Sequence, residues 1–267
     1  MLREAYVEAA GHRRRYLRAG SGWPLILLHA FPLNADLWRP QLERVTRGWQ
    51  FFAPDLRGFG PAAASATASS MEEMAQDVLA FMDALEIDRA VIGGLSMGGY
   101  LTMALYRAAP ERFTAMMLAN TKAGADTEEG RAARDKLASL VRREGPTAVA
   151  DQMLPKLLGA TSRRARPFLE PLVRRLIESN TAEGIAAASE AMKERPDSIE
   201  TLQRSAVPAL VMTGDEDAII PLDESEAMAR AIPRAQLVVL PAAGHLSSLE
   251  VPDDFSEALG NFLQSNL

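Results

Sequence analysis

Apolar and polar positions alternate along this chain in a strand–helix rhythm that is interrupted once. Residues 2–8 and 12–18 are short extended runs around Ala10-Gly11, the pattern of an opening hairpin. Ser21-Gly22 turns into Leu25-Ile26-Leu27-Leu28, apolar throughout, as a central parallel strand is. Trp38 and Leu42 then share one helical face, and Phe51-Phe52-Ala53 is the next strand. A linker of Ala, Ser and Thr spans 61–69. Ser70 and Glu73 form a capping box, and Met74, Val78, Phe81, Met82 and Leu85 stripe the helix behind it, a core face. Ala90-Val91-Ile92 reads as a buried strand, residues 100–109 as a helix closed by Pro110, and 114–119 as another strand. From 122 to 202 the alternation stops, and several helices with charged faces follow, broken at Gly145-Pro146, at Gly159 and near Pro196. The rhythm resumes with strands at 209–212 and 236–240 and helices at 227–232 and 252–263. This pattern predicts an α/β fold, with a mostly parallel central sheet flanked by helices and one all-helical insertion.

Between the strand at 90–92 and the helix at 100–109 lies Gly93-Gly94-Leu95-Ser96-Met97-Gly98-Gly99. Strand, Gly-x-Ser-x-Gly, helix is the context in which a serine is lifted above a sheet edge as a nucleophile. Glycine at 94 and 98 removes Cβ atoms that would collide where strand and helix meet. The turn also puts the Met97 N–H at the start of a helix, where the dipole favours a developing negative charge. The alternative is a glycine-rich turn with an incidental serine. The flanking strand and helix favour the nucleophile.

Composition narrows the chemistry. A chain of 267 residues suits one large domain, or a core with a smaller insertion. A net charge of -6 and a pI near 5.3 argue against nucleic acid, whose phosphates call for a basic surface. There is no Cys, hence no disulfide or thiolate, and three His make a typical zinc site unlike this chain. No apolar run approaches the roughly 20 residues that cross a bilayer. Arg13-Arg14-Arg15 ahead of the apolar stretch 23–31 superficially resembles a twin-arginine leader. Gly20, Gly22 and Pro24 interrupt it and the apolar part completes a core strand, so a cytoplasmic location is expected. Neither Gly-x-Gly-x-x-Gly nor a Walker A pattern occurs, and the serine chemistry implies no cofactor.

Five stretches together resemble the α/β-hydrolase superfamily over nearly the whole chain: Leu28-His29-Ala30-Phe31-Pro32, Pro54-Asp55-Leu56-Arg57-Gly58-Phe59-Gly60, Gly94-Leu95-Ser96-Met97-Gly98, Gly214-Asp215-Glu216-Asp217 and Ala243-Gly244-His245. The nearest likeness is to small capped carboxylesterases and 3-oxoadipate enol-lactonase-like enzymes. The resemblance implies an α/β-hydrolase core at 1–121 and 203–267 and a helical cap at 122–202. Serine needs a base and an orienting acid to act as nucleophile. This fold uses the chain order nucleophile, acid, histidine. Here that order is Ser96, Asp217, His245. His29 resembles the family's structural loop histidine, and His12 lies far from any strand end, which leaves His245. Asp215, Asp217 and Asp223 all follow the same strand; the family's Gly-x-x-Asp spacing selects Asp217. Asp217 is then expected on His245 Nδ1, with Nε2 toward Ser96 Oγ and Asp215 turned elsewhere. By the same likeness Phe31 N–H joins Met97 N–H as oxyanion donor, the Phe31-Pro32 bond is a candidate for cis, and Asp55 and Arg57 are structural. Ala30 stands where the family usually has Gly, a cost of around 1 kcal/mol if that backbone needs φ > 0.

The expected activity is hydrolysis of small carboxylic esters through an acyl-enzyme on Ser96. An enol-lactone hydrolase would use the same residues, with cations for a second carboxylate. Arg163, Arg164, Arg166, Arg174 and Arg175 are available, though such runs usually face solvent, while Met153, Leu154, Leu157, Leu158 and Met192 suit an apolar roof. A lyase or ligand receptor on the same fold is the reading from another class, and it would turn over simple aryl esters negligibly. Dehalogenase and epoxide hydrolase look-alikes carry Asp where this chain has Ser96.

Overall fold

The structure is a computed structural model and describes residues 1–44, 47–61, 63, 67–68 and 70–266. Its strands are β1 (Arg3–Ala9), β2 (His12–Gly20), β3 (Trp23–Leu28), β4 (Trp49–Pro54), β5 (Ala90–Leu95), β6 (Phe113–Ala119), β7 (Ala209–Gly214) and β8 (Ala235–Leu240). Its helices are α1 (Arg39–Glu43), α2 (Met71–Ala84), α3 (Met97–Ala108), α4 (Glu128–Glu144), α5 (Pro146–Leu157), α6 (Ala160–Ala165), α7 (Leu169–Glu178), α8 (Ala182–Lys193), α9 (Ile199–Gln203), α10 (Leu222–Ala231), α11 (Ser247–Glu250) and α12 (Pro252–Asn266).

The strands join one sheet in the order β1-β2-β4-β3-β5-β6-β7-β8. β1 with β2 and β2 with β4 pair antiparallel, and every pair from β4 to β8 is parallel. β5 and β7 are buried at every position, which is why they read as continuous apolar runs. Helices cover both faces of such strands. After β3 the chain passes to β4 on one side and then to β5 on the other, so the strand order reverses at β3. Connections leaving in opposite directions open a crevice at the carboxyl ends of β3 and β5.

Local signals explain most boundaries. Ser70 caps α2 by accepting from Glu73 N at 3.1 Å, as the capping box predicts. α10 begins at Leu222 rather than 227, because Pro221 precedes it and Asp223 and Glu224 fill its first turn. Positions 62, 64–66 and 69 of the predicted linker lie outside the described residues. Between β6 and β7 the described chain is helical, α4 to α9. Arg13-Arg14-Arg15 lies inside β2, where buried Arg14 pairs with Asp77 at 2.7 Å and buried Arg15 with Asp55 at 3.1 Å. Among the described residues no helix is long and apolar enough to cross a membrane.

Candidate active site

Ser96 sits at the junction of β5 and α3 with φ 56 and ψ -111, left-handed backbone that an L-residue adopts only under constraint. The constraint comes from both sides. Ser96 N donates to Ala119 O at 2.9 Å, and Ser96 O accepts from Thr121 Oγ1 at 2.9 Å. A Cβ on Gly94 would lie 2.2 Å from the Gly98 carbonyl carbon, and one on Gly98 would lie 2.1 Å from Leu28 O. Only glycine permits these approaches, and they bring α3 down against the end of β3. The loop after β3, which holds His29 to Pro32, therefore lies beside the elbow.

The Phe31 and Met97 amides are among those in this corner that donate to no protein acceptor among the described residues. These are the donors the sequence proposes for the oxyanion. Phe31-Pro32 is cis. Ala30 is not among the positive-φ residues, so the methyl in place of glycine carries no left-handed penalty.

His29 is fully buried and bridges two loops, with Nδ1 donating to Ala30 O at 3.0 Å and Nε2 accepting from Leu56 N at 3.1 Å. Both roles together require the neutral Nδ1–H tautomer. Burial pushes its pKa from 6.5 down to about 4. Above pH 6.5 the ring is neutral in folded and unfolded chains alike. As pH falls toward 4 the unfolded chain takes up a proton that the folded chain refuses, so folding loses up to about 3 kcal/mol. We expect His29→Gln to flatten the acid dependence of urea-unfolding stability by about that amount relative to wild type between pH 7 and 4. Identical slopes would contradict the buried neutral ring. The comparison cancels Asp55, whose carboxyl burial pushes up to about 6.

Asp217 and His245 are in contact. Nδ1 of His245 lies 2.9 Å from Asp217 Oδ2 and 3.1 Å from Oδ1. Gly214 makes the contact possible, since a Cβ there would lie 2.1 Å from Ala243 O, and the loops after β7 and β8 pack backbone to backbone. Burial of Asp217 works against its charge. The opposing His245, hydrogen bonds from His245 and Asn120 and the Ile220 amide outweigh it and hold the carboxyl below its usual range. An ionised Asp217 only accepts, so Nδ1 carries the proton and Nε2 its lone pair. Asp215 points away, toward Ala243 N at 3.4 Å.

Ser96 Oγ and His245 Nε2 make no protein hydrogen bond among the described residues, and neither is sealed from solvent. The sequence places Nε2 toward Ser96 Oγ, and no direct hydrogen bond joins the two. The three side chains are still linked through the strand ends. Ala119 O binds Ser96 N, and the next residue, Asn120, donates to Asp217 Oδ2 at 2.9 Å and to Gly244 O at 3.2 Å.

A family model described as alpha/beta hydrolase fold matches residues 24–252. The chain belongs to the alpha/beta hydrolase fold family. It is similar to 3-oxoadipate enol-lactonase 2 of Acinetobacter baylyi, 28% identical over 235 residues that cover 88% of this chain and 86% of the relative. A thermophilic esterase from Thermogutta terrifontis superposes with a TM-score of 0.93 at 37% identity, covering 98% of each chain. The enol-lactonase from Burkholderia xenovorans superposes with a TM-score of 0.90 at 28% identity, covering 98% of this chain and all of that one.

Sequence reasoning missed two residues of this hydrolase's site. Asn120 is fully buried with φ 46 and also accepts from Ser247 Oγ at 2.5 Å. A polar residue directly after a buried parallel strand was the available signal. Glu250 is 1% exposed and lies on α11, where the sequence shows only one acid among many. Asp55 and Arg57 are structural, bound to Ala35 N with Arg15 and to Asp77 with Glu73 respectively. Among the described residues no group of three His, Asp or Glu is placed to hold a metal ion.

Proposed function

We propose that this hydrolase cleaves small carboxylic esters, with Ser96 as nucleophile, His245 as general base and Asp217 orienting the base. The observation that carries this reading is the acceptor-only Asp217 on His245 Nδ1, which leaves Nε2 with its lone pair, together with the left-handed backbone that presents Ser96 at the end of β5. As substrate binds, Nε2 takes the Ser96 proton while Oγ attacks the acyl carbon. The Phe31 and Met97 amides then donate to the oxygen that becomes negative. Collapse of the tetrahedral adduct expels the alcohol with the proton from Nε2, and water activated by the same nitrogen releases the acid.

In this reading residues 122–202 act as a cap. Asn180 ties them to the oxyanion loop, with Nδ2 donating to Pro32 O at 2.7 Å and Oδ1 accepting from Gly60 N at 2.8 Å. Leu154, Leu157, Leu158 and Met192 of this segment are buried. Arg163, Arg164 and Arg175 are exposed, and Arg174 is already paired with Asp151 at 2.7 Å. Of these arginines only Arg174 is held in an ion pair among the described residues, so it is the buried apolar side chains, not the arginines, that favour a neutral ester over an enol-lactone acid. The likeness to both esterases and enol-lactonases is why the test covers both classes.

The test is a fluorophosphonate probe followed by a substrate panel. We expect one adduct, on Ser96, lost in His245→Ala, and faster turnover of short aryl esters than of anionic lactones. An adduct mapped to Ser247 or Ser248 would reject the nucleophile. Turnover confined to a lactone acid would replace the ester with the lactone reading.

A further inference from the structure

Glu250 is a buried carboxylate with no cation among its partners. Its Oε2 accepts from Gly244 N at 3.0 Å and from Gly159 N at 2.8 Å, and its Oε1 accepts from Leu246 N at 3.0 Å. The Ser162 hydroxyl adds a fourth donor. The same residue's amide donates back to Leu246 O at 3.0 Å. Gly244 and Leu246 are the two neighbours of His245. One side chain therefore accepts from the amides of both neighbours of the candidate base, and Leu246 N is shared with Leu157 O at 3.2 Å.

That grip has a geometric consequence. The Leu246 amide belongs to the peptide that follows His245, the peptide before it is held through Gly244 O by Asn120 Nδ2 at 3.2 Å, and the Gly244 amide lies one peptide further back, so Glu250 restrains the segment from which His245 Cα–Cβ leaves the chain. Asp217 then sets only the rotation of the ring. The third amide comes from elsewhere in the fold, since Gly159 lies between α5 and α6 of the helical segment. A Cβ on Gly244 would lie 2.2 Å from Gly159 N, so the two backbones touch at the point where Glu250 joins them. Glu216 makes a parallel attachment one loop away, accepting from Thr161 N at 2.8 Å.

We propose that Glu250 is a positioning residue that aims His245 at Ser96 by holding the amides on both sides of it, and that it makes this aim depend on the seating of the helical segment through Gly159. The proposal rests on the reading of His245 as general base. Every partner of the carboxylate is a donor, so replacing one oxygen by an NH₂ group sets donor against donor without changing volume. Misplacement of a catalytic group by about 1 Å can cost on the order of a hundredfold in rate.

Glu250→Gln is the test. We expect a folded protein whose kcat on a short aryl ester falls by about 10- to 100-fold, while KM stays within about threefold. A second readout does not depend on turnover. The low-field proton NMR signal of His245 Nδ1–H, assigned by its loss in His245→Ala, should shift or broaden in Glu250→Gln. If wild type fails to hydrolyse any ester through Ser96, the functional reading fails, and this signal still decides the positioning role. A folded Glu250→Gln with kcat within about twofold of wild type, or with the imidazole proton unchanged, overturns the proposal.

Should the variant not fold, the wild-type chain supplies the answer. The Gly159, Gly244 and Leu246 amide resonances should titrate together with the Glu250 carboxyl carbon. The other acids and the histidine on the packed loops are Asp215, Glu216, Asp217 and His245, so the midpoint must be that of Glu250 itself. Three amides that stay still through that midpoint would overturn the proposal.

Discussion

We expect Ser96→Ala to abolish ester hydrolysis, with turnover falling by about a millionfold, the scale seen when a serine hydrolase loses its nucleophile. The size follows from what remains. Without Oγ no acyl-enzyme forms, and the Phe31 and Met97 amides can only polarise a bound ester toward attack by water. His245 retains Asp217 and its geometry, so the variant should fold as wild type does. The left-handed backbone at position 96 is no easier for alanine than for serine, and the hydrogen bonds that hold it, to Ala119 O and from Thr121 Oγ1, involve backbone atoms of residue 96 that survive the change. Turnover is measured on one aryl ester beside a circular dichroism spectrum. Retention of a tenth of wild-type activity would reject the assignment.

Asp217→Asn lowers turnover by about ten-thousandfold, and Asp215→Asn changes it by only a few-fold. The first figure is that of the analogous change in a serine protease. An amide at 217 can donate to Nδ1, which moves the imidazole proton to Nε2 and leaves no lone pair toward Ser96. The pocket tolerates the shape, since Asn is isosteric with Asp. Asn120 Nδ2 and the Ile219 and Ile220 amides, which now donate to Asp217, would face a weaker acceptor. Asp215 by contrast meets only the Ala243 amide, at 3.4 Å, and touches neither the imidazole nor the serine. Both purified variants are compared on one substrate after their melting curves are matched. An inactive Asp215→Asn beside an active Asp217→Asn would move the acid to 215 and leave the hydrolase intact.

The elbow shows how far local reasoning reaches. Gly94 is legible because the clash it avoids, with Gly98, lies within five residues of chain, between a strand and the helix that leaves it, whereas Gly98 meets Leu28 O at the end of β3, a neighbour that only the fold supplies. Ala30 shows the limit. Its cost turned on one backbone angle, and that angle depends on how the loop after β3 packs against α3 and β4. His29, which ties that loop to Leu56 across two strands, is part of the reason the loop keeps its shape.

The sequence by itself determined the strand–helix rhythm, the all-helical stretch between β6 and β7 and the serine on its strand-to-helix turn. Each depends on spacing within a short segment, and hydrophobic period and glycine placement report such spacing directly. Tertiary structure alone decided the order β4-β3-β5 that opens the crevice, and the meeting of Asp217 with His245 across two loops. It also decided the hydrogen-bond partners of Asn120 and Glu250. The physical reason is distance along the chain. Asn120 reaches Asp217 across 97 positions, and Glu250 reaches Gly159 across 91. No periodicity encodes which buried polar group will find which donor. That is settled when the strand ends come together and every polar atom left between them must be paired.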